Sequence, residues 1–172
     1  MPNYTIRPEQ PADFAAIYDL VKVAFATAPE CDGDEQDYVN KLRLTAGYLP
    51  QLALVAEQQG KLIGHIMLTK TDINTLNGNY EALLLSPICV LLEERNQGIG
   101  AALIHESFKR ARELGYEAVF LVGDPQYYRR FGFRPTTEFD IHISSDIPAK
   151  YVQGVELVTG ALSDISGSIS IV

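Results

Sequence analysis

The stretch LEERNQGIGAALIHESF, Leu92 to Phe108, sets Gly98 and Gly100 between an apolar run and an amphipathic one. Glycines at a strand-to-helix junction let the backbone approach a ligand with no Cβ in the way. The first amides of the following helix lack partners and sit at the positive end of its dipole, so such a turn can hold a phosphate. Three phosphate-loop patterns compete for these residues. GxxxxGK[ST] fails because Ala101-Ala102 stands where a Lys-Ser or Lys-Thr is needed. GxGxxG fails because its third glycine falls on Leu103, and no acidic residue ends a strand about 20 residues on. The pattern Arg/Gln-x-x-Gly-x-Gly/Ala is met by Arg95-Asn96-Gln97-Gly98-Ile99-Gly100.

Other side chains invite chemistry. QYYRRFGF, Gln126 to Phe133, offers two phenols, Tyr127 and Tyr128. A phenol of ordinary pKa is protonated at neutral pH and can serve as a general acid. Arg129, Arg130 and Arg134 form the densest positive patch of an acidic chain, either a phosphate partner or a solvated face. Glu81, Ser86, Asp124, Asp32 and Asp34 are candidate bases, each with an ordinary solvated reading beside it. His65, His105 and His142 have no partner at ligand spacing, so no metal is expected. Cys89, inside an apolar run, reads as a small buried hydrophobe and not as a nucleophile.

These residues need elements to position them. YTIR predicts a first strand, and Phe14, Ile17, Leu20, Val21 and Ala24 recur at helical spacing within PADFAAIYDLVKVAFA. A loop, PECDGDEQ, leads to a second helix over QDYVNKLRLTA. LALVAE and KLIGHIMLTKTDI flank Gln59-Gly60 as strand, turn and strand, and Asn77-Gly78 marks a hairpin. EALLLSPICVLL reads as a strand buried on both faces, with Pro87 pointing to a bulge or a splayed strand. Gly98 to Leu114 forms the clearest helix, with Ile99, Leu103, Ile104, Phe108, Ala111 and Leu114 on one side. Gly115 follows as its stop, and AVFLVG then gives a strand parallel to the one before the helix. FDIHI and GVELV supply later strands, and GVELV and GSISIV are candidates for an interface. The fold class is α/β with a mixed sheet.

Taken in this order, the motifs resemble those of the GNAT superfamily of acyl-CoA-dependent N-acetyltransferases. SPICVLLEE precedes the Arg95–Gly100 loop, a helix ending in Leu-Gly follows, and AVFLVGDPQYYRRFGF looks like the family's second signature. GDPQYYRRFGF looks most like the small bacterial subgroup of predicted N-acetyltransferases. The match covers 86–133 within a single domain, 1–172, and the last 35 or so residues follow only loosely. The resemblance implies a mostly antiparallel central sheet with splayed strands and flanking helices. It implies that Ile88, Cys89 and Val90 pair with the pantetheine arm of acetyl-CoA, and that a strand N–H near Val90 polarises the thioester. Arg95, Asn96, Gln97, Gly98, Ile99, Gly100 and Ala101 would hold the coenzyme A pyrophosphate, largely through backbone amides. Tyr128 falls on the general acid, with Tyr127 as its packing neighbour. The co-substrate is acetyl-CoA, and the acceptor is the primary amine of a small molecule or of a protein. A non-catalytic acyl-CoA sensor is the alternative.

The composition agrees. A chain of 172 residues, 47% of them hydrophobic and 21% charged, is long and apolar enough for a substantial core. A net charge of −8 excludes a generally basic nucleic-acid footprint. No run approaches the ~20 apolar residues that span a bilayer, and the N-terminal decapeptide has no signal-peptide pattern. The expectation is a cytoplasmic monomer or homodimer, with no nucleic-acid or membrane partner.

Overall fold

The computed structural model describes residues 3–27 and 33–171, so Cys31 and Asp32 lie outside the described residues. The chain divides into two compact units, Met1–Thr69 with Ser86–Arg110, and Lys70–Leu85 with Ala111–Val172.

In the first unit, strand β1 (Thr5–Pro8) pairs antiparallel with β2 (Ala53–Gln58), Thr5 opposite Glu57 and Pro8 opposite Leu54. β2 pairs antiparallel with β3 (Lys61–Thr75), and the register slips between Ala56 and Glu57. Gln59 and Gly60 both have positive φ, 51° and 78°, as the two-residue turn that matches strand twist requires. Residues 63–69 of β3 are all buried, His65 and Thr69 included, which is why this segment reads as mostly apolar. Helix α1 (Phe14–Ala26) buries Ile17, Leu20, Val21 and Ala24, spaced three, four and seven apart as one helical face demands. Helix α2 (Glu35–Arg43) carries Glu35 and Asp37 in its first turn and Lys41 and Arg43 in its last, both favourable to its dipole.

Strand β4 (Gly78–Val90) leads through a short 3-10 turn at Leu92–Glu94 into helix α3 (Ile99–Glu113). Ile99, Leu103, Ile104 and Phe108 of α3 are buried, on the face that the periodicity assigns inward. Gly64 of β3 makes room for this helix. A Cβ there would lie 3.1 Å from Leu103 Cδ1 and 3.4 Å from Ile99 Cγ2. The close helix–strand approach that a dinucleotide loop obtains from a glycine on its helix is here obtained from a glycine on the strand.

In the second unit, β4 pairs parallel with β5 (Ala118–Val122), as the crossover through α3 requires. Gly115 ends α3 at φ 91°, and the Tyr116 N–H reaches back to the Ala111 carbonyl at 3.0 Å. β5 pairs antiparallel with β8 (Val152–Glu156), and β8 with β6 (Arg134–Pro135). β7 (Ile141–Ile143) runs parallel to β9 (Gly167–Ile169), and β9 runs antiparallel to the end of β3. Phe120, Ile73, Ala82, Ile141, Val152, Leu162 and Ile169 form this unit's core. Among the described residues, nine strands make a mixed, mostly antiparallel sheet, and the α/β expectation holds. GVELV and GSISIV lie largely in β8 and β9, each of which has a strand neighbour on both sides.

Candidate functional site

The register between β4 and β5 is short. Their register covers Leu83 opposite Val119 and Leu84 opposite Phe120 and then stops, although β5 runs on to Val122 and β4 to Val90. Pro87, which has no amide hydrogen to give a ladder, lies on β4 beyond the β5 register and follows a cis peptide bond. Ile88 and Val90 are half-buried, and Cys89 points inward at 8% exposure. Burial pushes the Cys89 thiol up to about 12, against smaller opposing effects from a His65 backbone hydrogen bond and the charge of Arg95. A group so protonated is no nucleophile at neutral pH.

The loop after β4 bends through two left-handed residues, Asn96 (φ 64°) and Gly98 (φ 81°). Asparagine and glycine are the residues that reach this region at least cost. Asn96, Gln97 and Gly98 are exposed, Gly100 and Ala101 are half-buried, and Ile99 is anchored inside. The first intrahelical bond of α3 runs from the Ala102 N–H to the Gly98 carbonyl, 3.0 Å. The amides of Ile99, Gly100 and Ala101 therefore open the helix with no carbonyl one turn behind them. Arg95 is committed elsewhere: its Nε donates to the Val90 carbonyl and its Nη2 to the Ala24 carbonyl, both at 3.0 Å. This fork ties the end of α1 to the end of β4, so the Arg95 side chain shapes the loop without facing out from it.

Tyr128, in the second unit, closes the single turn α4 (Pro125–Tyr128). Asp124 caps that turn by accepting from the Gln126 N–H at 2.9 Å, and Pro125 fixes its first residue. The Tyr128 ring lies edge-on to Tyr127 at 4.9 Å and to Phe133 at 5.9 Å. Burial raises its hydroxyl to about 12, helped by Tyr127 and Asp124. Gly132 turns the chain at φ 94°. Arg130 lies over the Tyr127 ring at 4.2 Å, Arg129 is exposed, and Arg134 belongs to β6. Of the candidate bases, Asp34 precedes α2 and is exposed, Glu81 is exposed, and Asp124 is the cap just described.

A buried charged cluster in the first unit has no counterpart in the motifs. The Glu9 carboxylate is fully enclosed and meets His65 Nε2 at 3.0 Å. It accepts from Arg43 Nε at 2.8 Å, Arg43 Nη2 at 3.0 Å and the Tyr48 hydroxyl at 2.7 Å. Burial works to raise the Glu9 pKa, but the bonds from His65, Arg43 and Tyr48 outweigh it and hold the group at about 2. Arg43 also covers the Phe14 ring at 3.9 Å. The partners stand 34, 39 and 56 residues from Glu9, so no local pattern joins them. One hint was present: a histidine in the apolar run IGHIM needs a polar partner somewhere. His105 and His142 are exposed.

Among the described residues, no group of three or more His, Cys, Asp or Glu is arranged to hold a metal ion, and no helix is long and apolar enough to cross a membrane.

Comparison with known proteins adds an independent line. Residues 5–136 match a family described as an acetyltransferase (GNAT) domain. The chain is 30% identical over 136 residues to the N-acetyltransferase YjhQ of Escherichia coli, covering 77% of this chain and 71% of that one. It is 28% identical over 164 residues to the N-acetyltransferase YhbS of Escherichia coli, covering 95% and 93%. The crystal structure of YhbS in complex with CoA superposes with a TM-score of 0.88 at 26% identity, over 100% of this chain and 91% of that one. A GNAT family acetyltransferase from Brucella melitensis in complex with acetyl-CoA gives 0.79 at 28% identity, over 98% and 96%.

Proposed function

The chain belongs to the GNAT acetyltransferase family, and from that premise we propose that it moves an acetyl group from acetyl-CoA to a primary amine by direct attack. The observation that carries the reading is the early end of β4–β5 pairing, after Leu84, on a strand that runs on to a loop with left-handed turns at Asn96 and Gly98. The coenzyme complexes of YhbS and of the Brucella protein support it. The family match runs through residues of both units, which supports one acetyltransferase domain.

Ile88, Cys89 and Val90 pair by backbone with the pantetheine arm, and the amides from Asn96 to Ala101 hold the pyrophosphate, within the loop that Arg95 braces. Charge-assisted bonds of this kind contribute roughly 1.5–3 kcal/mol each, so a few hold a polyanion even on an acidic protein. An amide near Val90 polarises the thioester carbonyl. The amine nitrogen attacks the carbonyl carbon, the C–S bond breaks, and the amine's proton is the one the departing thiol finally carries. Tyr128 hydrogen-bonds the sulfur as its charge develops. With a pKa near 12 its phenol holds the proton throughout. Full transfer of the phenol proton to the thiolate of a thiol of ordinary pKa, about 8.5, is uphill, so Tyr128 stabilises the sulfur by a hydrogen bond while the amine proton goes to it. Bringing the reactants together supplies much of the remaining acceleration.

The test is a thermal shift with acetyl-CoA followed by free-thiol release against a panel of small amines and peptide N-termini. Stabilisation with amine-dependent release is expected, and Tyr128→Phe lowers turnover at least tenfold with acetyl-CoA affinity kept. No stabilisation overturns the loop assignment. Stabilisation without release for any amine favours the sensor.

A further inference from the structure

Gly123 follows β5 directly, one residue before the cap of α4, and nothing in its backbone demands a glycine: its φ is outside the left-handed region. What demands it is Tyr128. A Cβ on Gly123 would lie 2.6 Å from Tyr128 Cε2 and 3.1 Å from Cδ2. Carbon atoms rest at about 3.5–4.0 Å, so one methyl group here forces a retreat of about 1 Å. The backbone of Gly123 is held at both ends. Its N–H donates to the Tyr151 carbonyl at 3.0 Å, and its carbonyl accepts from Gln153 Nε2 at 3.0 Å. Gln153 is itself 1% exposed. The ring must therefore move, and Cε2 is the atom beside the carbon that bears the hydroxyl.

We infer that Gly123, held by Gln153 and Tyr151, is the positioning residue for the Tyr128 hydroxyl in the acetyl transfer. This rests on the acid role given to Tyr128 above. The ring sits against a bare Cα on one side and against Tyr127 and Phe133 on others, which fixes the phenol. A 1 Å misplacement of a catalytic group can cost about 100-fold in rate.

The test is a double-mutant cycle on the full chain with acetyl-CoA and the best amine of the panel. Gly123→Ala is expected to lower kcat ten- to a hundredfold, with the KM for acetyl-CoA within about twofold. In a Tyr128→Phe background the same change is expected to have little further effect on kcat, since the group it displaces is gone. Losses that multiply in the double variant, or unchanged kcat in Gly123→Ala, overturn the positioning role. If Tyr128→Phe itself leaves turnover intact, the acid role falls and the positioning role with it. If Gly123→Ala fails to fold, adding Tyr128→Ala, which deletes both ring atoms that the methyl meets, is expected to restore soluble protein. Failure to restore it also overturns the inference.

Discussion

Replacing Arg43 with methionine probes the Glu9 cluster without adding bulk. Arg43 supplies two of the four hydrogen bonds at the Glu9 carboxylate and the formal charge that balances it. Glu9 has no exposed side-chain surface and Arg43 only 7%. Removing one partner of such a pair leaves a buried charge and typically costs about 3–5 kcal/mol. For a chain of this length each kcal/mol moves Tm by roughly 2–4 °C, so a loss on the order of 10 °C is expected at pH 7. The pH dependence carries the sharper signature. In the wild type, Glu9 titrates near 2 folded against an ordinary 4.5. Its contribution is therefore complete above about pH 4.5 and fades as pH falls towards 2. Without Arg43 the balance between burial and hydrogen bonding tips, and the folded pKa of Glu9 rises above its unfolded value. The variant then gains stability relative to wild type as pH falls from 7 towards 4.5. Urea unfolding of both proteins across that range measures the gap. A gap that narrows on acidification is expected. A gap under about 1 kcal/mol at pH 7, or one that is flat with pH, refutes the reading of Glu9 as a charge held in place by Arg43.

Two further expectations follow from the loop and the strand before it. Gly98→Ala puts a Cβ at φ 81° in open space, so strain and not collision is the penalty, about 1–2 kcal/mol. Acetyl-CoA affinity by calorimetry is expected to fall, and an unchanged Kd removes the loop from the coenzyme site. Cys89, with its thiol near 12, is expected to stay unmodified by maleimide at pH 8 for as long as the protein is folded. Peptide mapping by mass spectrometry checks this, and rapid labelling of Cys89 would contradict its burial.

The parts of the molecule legible in the sequence were those written in neighbouring residues. The amphipathic period of α3, the apolar run of β4 and the Arg95–Gly100 pattern each lie within one segment, and all three lie where they were expected. What stayed hidden depends on separation. Glu9, Arg43, Tyr48 and His65 acquire meaning only when α2, β3 and the segments after β1 and α2 bring them together. Gly123 looks like a strand-ending glycine until the Tyr128 ring is seen against its Cα. Arg95 was legible as part of a motif but not in its use, because a guanidinium that reaches two carbonyls 71 and 5 residues away leaves no trace in spacing.

The division of the chain has a consequence for biosynthesis. Each unit is made of separated stretches, and the chain leaves the first at Thr69, re-enters at Ser86 and leaves again after Arg110. A nascent polypeptide therefore cannot finish the first unit until α3 has left the ribosome, by which time Lys70–Leu85 of the second is already outside and unsatisfied. The second waits longer, for β9 near the chain terminus to reach β3. Neither unit can be cut out as a continuous fragment, and a nick anywhere between Lys70 and Leu85 interrupts the chain path of both at once.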